Sequence, residues 1–277
     1  MINGLTQILA HVGYPTTTFR APMIYNPWFE SRGINAKVVP MGVKAENFAR
    51  AFPEICRFSN FAGALVTMPH KISVVELLDE VSTEVKIAGS CNAVRLDAKG
   101  RLIGDMFDGA GFVRGLAQNG VKVAGKRVLI VGSGGVGSAI AASTAAAGAM
   151  ELALYDSRSD AMEKLATRLA AHYPNLVITA GSNDPEGFDI AVNATPLGMS
   201  SADPLPMDPA RLAPTTFVGE VVLKSAETPF LAAARARGCS TQIGVDMLFE
   251  QIPAYLEFFG FQPPTAAELR SVARIEY

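Results

Sequence analysis

At 277 residues the chain is long enough to bury a sizeable core and to hold one large or two moderate domains, of which two is the better fit. A formal net charge of −2 and a pI near 6.0, without any lysine- or arginine-rich run, exclude a nucleic-acid-gathering field and leave a small molecule as the expected partner. Cys56, Cys91 and Cys239 are widely spaced without a CxxC pair, and His11, His70 and His172 fall in no metal-ligand spacing, so neither a disulfide framework nor a metal site is expected.

Residues 6–13 read as a first strand, followed by the turn GYPTTTFRAP and a helix from about 22 to 33 that starts near Pro22. Residues 37–43 read as a second strand, and 47–59 as a helix with apolar or small positions at Phe48, Ala51, Phe52 and Ile55. A third strand at 62–67 ends at MPHK, the segment at 73–78 continues helically, and 88–94 with Leu102 and Ile103 returns to extended chain. Alternating strands and helices predict an α/β layer of its own. Residues 104–120 then lead into a helix that connects the two halves, with Gly120 closing it.

The stretch from Arg127 to Asp156 is the most informative. Residues 128–131 are an apolar run of the kind that makes a strand buried on both faces, and GSGGVG follows at once. Gly132 lets the chain reverse, Gly134 lets backbone approach a pyrophosphate, and Gly137 lets the next helix pack closely on the strand. Ser133, Gly135 and Val136 complete the loop. The alanine-rich run 138–147 supplies a helix whose first N–H groups and positive dipole end face the phosphates. A second strand at 152–155 ends in Asp156, about 20 residues on, where an acid accepts the ribose hydroxyls.

A lone GxGxxG is a weak signal because glycine turns are common. A preceding strand, a following helix and an acid at the right offset together specify a dinucleotide site. The Asp156 carboxylate repels a 2′-phosphate, which favours NAD, while Arg158 is placed to support some binding of NADP.

A helix at 159–173 and strands at 176–179, 190–193 and 217–222 complete a doubly wound pattern, and a helix at 246–259 folds back on the first domain. The expected fold class is α/β, with 1–106 as one domain, 243–277 packing back on it, and 107–242 as a Rossmann domain. SADPLPMDP, at 201–209, reads as a proline-rich loop. Residues 128–150 carry no charge, yet their glycines, serines and alanines are too weakly apolar for a membrane span. With no signal-peptide layout at the N-terminus, a cytoplasmic, membrane-free protein is expected.

MPHK, AGSCNAV, GDMFDGAG, GSGGVG, NATPLGM, ETPFL and GVDMLFEQ occur in that order, and together they resemble the shikimate/quinate dehydrogenase family over nearly the whole chain. The resemblance implies an N-terminal α/β substrate domain beside a Rossmann domain, with the active site in the cleft, in a monomer or homodimer. It also implies a catalytic pair, Lys71 and Asp108, with Thr67, Asn92 and Gln251 on the substrate side. Asn193, Thr195 and Gly244 join the glycine loop on the cofactor side, and Ser157 stands where NADP-using relatives carry arginine.

The chemistry itself asks for such a pair. Oxidising a secondary alcohol needs a base for the hydroxyl proton as hydride leaves for the nicotinamide, and the reverse reaction needs an acid. An unperturbed lysine, with a pKa of about 10.4, must be tuned by desolvation while a neighbouring carboxylate works the other way. Taken alone, Lys71 reads as a solvated surface lysine, Asn92 as a turn residue and Gln251 as a local cap. Motif order favours the functional reading of all three, and His70 reads as structural.

The departures bear on the substrate. Phe19 and Ala21 occupy the positions of the two serines of the family's SxSP motif, which bind the substrate carboxylate. Leu65 replaces the asparagine of ANVTxP, Phe107 the threonine of GDNTDG, and Leu223 a tyrosine. Phe19, Ala21 and Phe107 are therefore substrate-side positions stripped of their hydroxyls. The expectation is an NAD-preferring dehydrogenase acting on a secondary, ring-borne alcohol, poor on shikimate. Its alternatives are a dinucleotide-binding protein without turnover and a shikimate or quinate dehydrogenase with a rebuilt anchor.

Overall fold

A computed structural model describes residues 2–200, 202–223 and 227–275; Ser201, at the head of the expected proline-rich loop, and residues 276–277 lie outside them. The chain divides into two compact units, Met1–Phe107 with Ile252–Tyr277, and Asp108–Gln251.

In the first unit, β1 (Gln7–Gly13), β2 (Ala36–Gly42), β3 (Phe61–Val66), β4 (Glu80–Val81), β5 (Ala93–Leu96) and β6 (Leu102–Asp105) form one sheet in the order β2-β1-β3-β5-β6-β4. β1 lies parallel to both β2 and β3, whereas β5 is antiparallel to β3 and β6. Leu9, Ala10 and Val12 of β1 are fully buried, as expected of a strand with parallel neighbours on both sides. The helices are α1 (Pro22–Ser31), α2 (Ala45–Cys56) and α3 (Thr83–Ala88). Phe48, Phe52 and Cys56 recur every four residues along α2 and form its buried stripe.

Two local readings change here. Residues 73–77 are a 3-10 turn, and α3 occupies residues before the expected extended segment, which begins only at Ala93. Six residues are too few to show a helical period. The signals were in the caps: the Ser82 hydroxyl accepts from Val85 N, and Gly89 ends the helix at φ +66°.

The second unit holds α4 (Asp108–Gln118), β7 (Arg127–Val131), α5 (Gly135–Ala146), β8 (Glu151–Tyr155), α6 (Ser159–His172), β9 (Val177–Ala180), β10 (Ile190–Asn193), β11 (Phe217–Glu220), α7 (Pro229–Ala236) and β12 (Thr241–Gln242). Its strands run β12-β11-β10-β7-β8-β9, with every described ladder parallel. Strand order reverses between β7 and β10, which makes the carboxyl ends of those strands the switch point of a doubly wound sheet. Helix α4 packs on α5 at Gly109, where an added Cβ would lie 2.0 Å from the Ala139 carbonyl oxygen.

Helix α8 (Gly244–Phe258) has Gly244–Gln251 in the second unit and Ile252–Phe258 in the first. A Cβ at Gly111 would sit 2.7 Å from Gln251 Cβ and 2.8 Å from Met247 O, so the first half of α8 packs closely on α4. Helix α7, unassigned from the sequence, starts at a Thr228 cap with Pro229 in the first turn. Helix α9 (Ala266–Val272) carries a Thr265/Glu268 capping box. No helix among the described residues is long and apolar enough to cross a membrane.

One acid is buried at the end of the second sheet. Glu220, 1% exposed, closes β11, accepts a 2.9 Å hydrogen bond from the Thr228 hydroxyl and also bonds to Asn193, with Arg235 the cation acting on it. Burial outweighs these partners and pushes its carboxyl up from 4.5 to about 7. The folded protein keeps a proton that the unfolded chain releases, so stability is greatest below pH 4.5 for this group and falls as pH rises through about 7. Glu220→Gln is expected to raise the melting temperature at pH 7–8, with the gain shrinking toward pH 5. Melting curves across that range check it, and a gain independent of pH would exclude Glu220 as the source.

Candidate active site

On the cofactor side, the glycines do steric work. Gly132 sits at φ +110° with a would-be Cβ 2.8 Å from the backbone of Ala194, and at Gly137 a Cβ would lie 1.9 Å from the Gly132 carbonyl oxygen. The loops after β7 and β10 therefore lean on each other at the switch point. Gly134 has open space around its missing Cβ and, as the N-cap, brings no side chain of its own to the start of α5, which begins at Gly135 and includes Val136. The buried Ser133 hydroxyl has no hydrogen-bond partner among the described residues. A helix start with glycine at its N-cap, open space at Gly134 and an orphaned Ser133 hydroxyl fit a pyrophosphate.

Asp156 ties this loop to the end of β8. Its Oδ2 accepts from Ser133 N at 2.6 Å and its Oδ1 from Arg158 N at 2.9 Å, with the exposed Arg158 guanidinium 3.5 Å away. Asn193 organises the facing loop: its Oδ1 accepts from Thr195 N and, at 2.6 Å, from the Thr195 hydroxyl, while Nδ2 donates to Leu197 O at 3.0 Å. Gly244 lies under the loop after β11, where a Cβ would be 2.4 Å from Val222 O. The sequence motifs thus mark loop geometry as much as ligand contacts.

On the substrate side of the first unit, the polar candidates gather at the carboxyl ends of β1 and β3. Thr67 N donates to Val12 O at 2.9 Å, and a Cβ at Gly13 would meet Thr67 Cγ2 and Phe19 Cζ at 2.4 and 3.0 Å. Half-buried Lys71 follows, its carbonyl accepting from Cys91 N at 2.7 Å, which sets it beside the segment carrying Asn92. Asn92 is fully buried; its Oδ1 accepts from Phe107 N at 3.0 Å, and its Nδ2 has no partner among the described residues. It therefore holds a turn and keeps a spare donor.

Phe19 is buried and stacked on His11, with ring centroids 4.0 Å apart. Burial and the charge of Lys71 push His11 down to about 3, so its ring is neutral. Ala21 is buried at the start of α1. The Phe107 ring packs edge-on against Tyr255 and Phe258, at 5.0 and 5.7 Å. His70 is committed to packing: its Nε2 lies 2.7 Å from Val43 O and its ring stacks on Phe48.

In the second unit, buried Asp108 opens α4, where the positive end of the helix dipole favours a carboxylate. Gln251 is buried against Gly111, its Oε1 without a partner among the described residues. The sequence reading passed over His11, Glu220 and Thr228. His11 had a legible signal, a lone imidazole inside an apolar strand; Glu220 had none, because its burial comes from a segment distant in sequence.

A family model described as the shikimate dehydrogenase substrate binding domain matches residues 12–94. Over 264 residues, covering 95% of this chain and 94% of the relative, the chain is 33% identical to shikimate dehydrogenase (NADP(+)) of Acidiphilium cryptum. Among solved structures it is similar to quinate dehydrogenase from Corynebacterium glutamicum in complex with NAD, with a TM-score of 0.84 and 28% identity over 96% of this chain and 98% of that one. It is also similar to ligand-free 5-ketofructose reductase of Gluconobacter sp. strain CHM43, with a TM-score of 0.83 and 27% identity over 96% and 98% of the two chains. With the dinucleotide loop, the two α/β units and the ordered motifs in place, this chain belongs to the shikimate dehydrogenase family and is an NAD(P)-dependent oxidoreductase acting on a CH–OH group.

Proposed function

We propose that the enzyme oxidises a secondary, ring-borne alcohol that carries no carboxylate, or reduces the matching ketone, with NAD preferred over NADP. The observation that carries this reading is the replacement of the SxSP serines by Phe19 and Ala21, with Phe19 spending its surface on the His11 ring rather than offering a donor. Leu65, buried in β3, removes a further amide. A carboxylate placed there would lose the hydroxyl and amide donors that the family motifs supply. The similarity to a 5-ketofructose reductase supports it, because 5-ketofructose is an uncharged ketose.

NAD(P), when bound, supplies the hydride acceptor or donor. Lys71 takes the hydroxyl proton in oxidation and returns it in reduction, and Asp108 is the second member of the catalytic pair. Thr67, Asn92 and Gln251 bind substrate hydroxyls, with the spare Asn92 Nδ2 and Gln251 Oε1 as donor and acceptor. Lys71→Ala is expected to reduce turnover by about 100-fold or more with cofactor affinity nearly unchanged, and Asp108→Asn to slow it as well. Steady-state kinetics with cofactor titration check this; wild-type rates in both variants would remove the pair from the chemistry.

The NAD preference rests on Asp156, whose carboxylate stands where a 2′-phosphate would be placed. Because Asp156 also holds the Ser133 amide, Asp156→Asn is the informative change: it keeps an acceptor and removes the charge. Calorimetry is expected to show tighter NAD than NADP binding in the wild type and a narrowed ratio in the variant. Equal or tighter NADP binding by the wild type overturns the preference.

With shikimate or quinate, activity is expected to be very low, since about four lost neutral hydrogen bonds at roughly 0.5–1.5 kcal/mol each weaken binding by orders of magnitude. Phe19→Ser with Ala21→Ser is expected to recover measurable shikimate oxidation. The second reading, a shikimate dehydrogenase whose anchor is rebuilt by Arg20 and the Thr16–Thr18 turn, is favoured by the relatives' names. Efficient wild-type turnover of shikimate would establish it.

A further inference from the structure

His11 is one of several residues of the first unit, with Tyr25, Trp28, His70 and Asn92, that carry a buried side-chain nitrogen or oxygen without a hydrogen-bond partner among the described residues. It lies in β1 among Leu9, Ala10 and Val12, is 8% exposed, and its Nδ1 has no hydrogen-bond partner among the described residues. A buried polar atom left unpaired costs about 1–3 kcal/mol, so an apolar residue here would be the more stable choice.

The register says what the histidine stands beside. His11 pairs with Leu65 across the parallel β1–β3 ladder, and directly paired residues in adjacent strands present their side chains to the same face. Leu65 occupies the position where the family motif carries asparagine, so a hydrogen-bonding group missing from β3 stands one strand over on β1. The Phe19 ring, in place of an anchoring serine, covers the imidazole at 4.0 Å.

From this arrangement we infer that His11 binds the substrate, its imidazole hydrogen-bonding a hydroxyl or carbonyl oxygen in the place of the family's amide and serine contacts. The inference rests on the uncharged-substrate reading and deepens it. Burial and the Lys71 charge keep the ring neutral, with one N–H and one bare nitrogen. Such a ring matches an alcohol or ketone and offers no ion pair to a carboxylate. His11 and Phe19 together form a neutral-oxygen subsite where relatives hold an anion.

The test uses the full-length enzyme with 5-ketofructose and a set of neutral cyclic polyols, with shikimate as the charged control. His11→Leu is expected to raise KM for the neutral substrate about tenfold while leaving the cofactor KM unchanged and the melting temperature equal or higher. His11→Asn is expected to recover part of the loss by restoring a hydrogen-bonding group. An unchanged substrate KM in His11→Leu overturns the contact, since a histidine serving only to stack on Phe19 would not move it.

Where the variants fail to fold, long-range ¹H–¹⁵N spectra of the wild type decide instead, with three histidines to resolve. A shift of the His11 ring nitrogens on adding the neutral substrate supports the contact, and their constancy overturns it. A wild type that turns over shikimate, or none of the neutral probes, fails before any variant is made and overturns the uncharged-substrate reading together with this inference.

Discussion

The second unit depends on one steric constraint, the close approach of the loops after β7 and β10. Gly137 admits the Gly132 carbonyl where any Cβ would collide, and Gly132 in turn lies against the backbone of Ala194. That contact fixes the start of α5, with Gly134 as its N-cap, at the switch point of the parallel sheet. The bonds from Asp156 to Ser133 and from Asn193 to Thr195 and Leu197 hold the two loops in register with their strands. These backbone geometries suit an anion, since the N–H groups and the helix dipole are supplied by the fold and need no basic side chain.

The first unit is organised by a different requirement, satisfaction of polar groups at the carboxyl ends of β1 and β3. Hydrogen bonds between Thr67 and Val12, Val66 and Asn92, and Phe107 and Asn92 close the backbone there. Side-chain atoms left without a hydrogen-bond partner among the described residues include the Nδ2 of Asn92 and the Nδ1 of His11. Phe19 and Leu65 lower the local polarity, and the uncharged imidazole suits that environment better than an anion would. The departures from the family pattern share one physical feature, apolar side chains at Phe19, Ala21, Leu65 and Phe107 where the motifs carry polar ones.

Part of this was legible in the sequence because its signals are local. The run Val128, Leu129, Ile130, Val131, the glycine loop and Asp156 lie within one strand-turn-helix-strand unit, where each residue's role follows from its neighbours in the chain. Helix α3 escaped because six residues show no period, and α7 because its cap was read as part of a motif. The close packing of Gln251 and Met247 on Gly111 was not legible because those residues are remote in sequence.

What the sequence determined by itself was the alternation of strands and helices, the glycine loop and the residue types that stand at the motif positions, Phe19, Ala21, Leu65 and Phe107. These depend on hydrophobic period, glycine conformational freedom and residue type, all properties of short segments. Tertiary structure alone decided that Glu220 is buried beside Thr228 and Asn193, and that His11 faces Phe19 next to Leu65. Desolvation and hydrogen-bond satisfaction depend on which distant segments pack around a group, and that packing exists only once the sheets have formed.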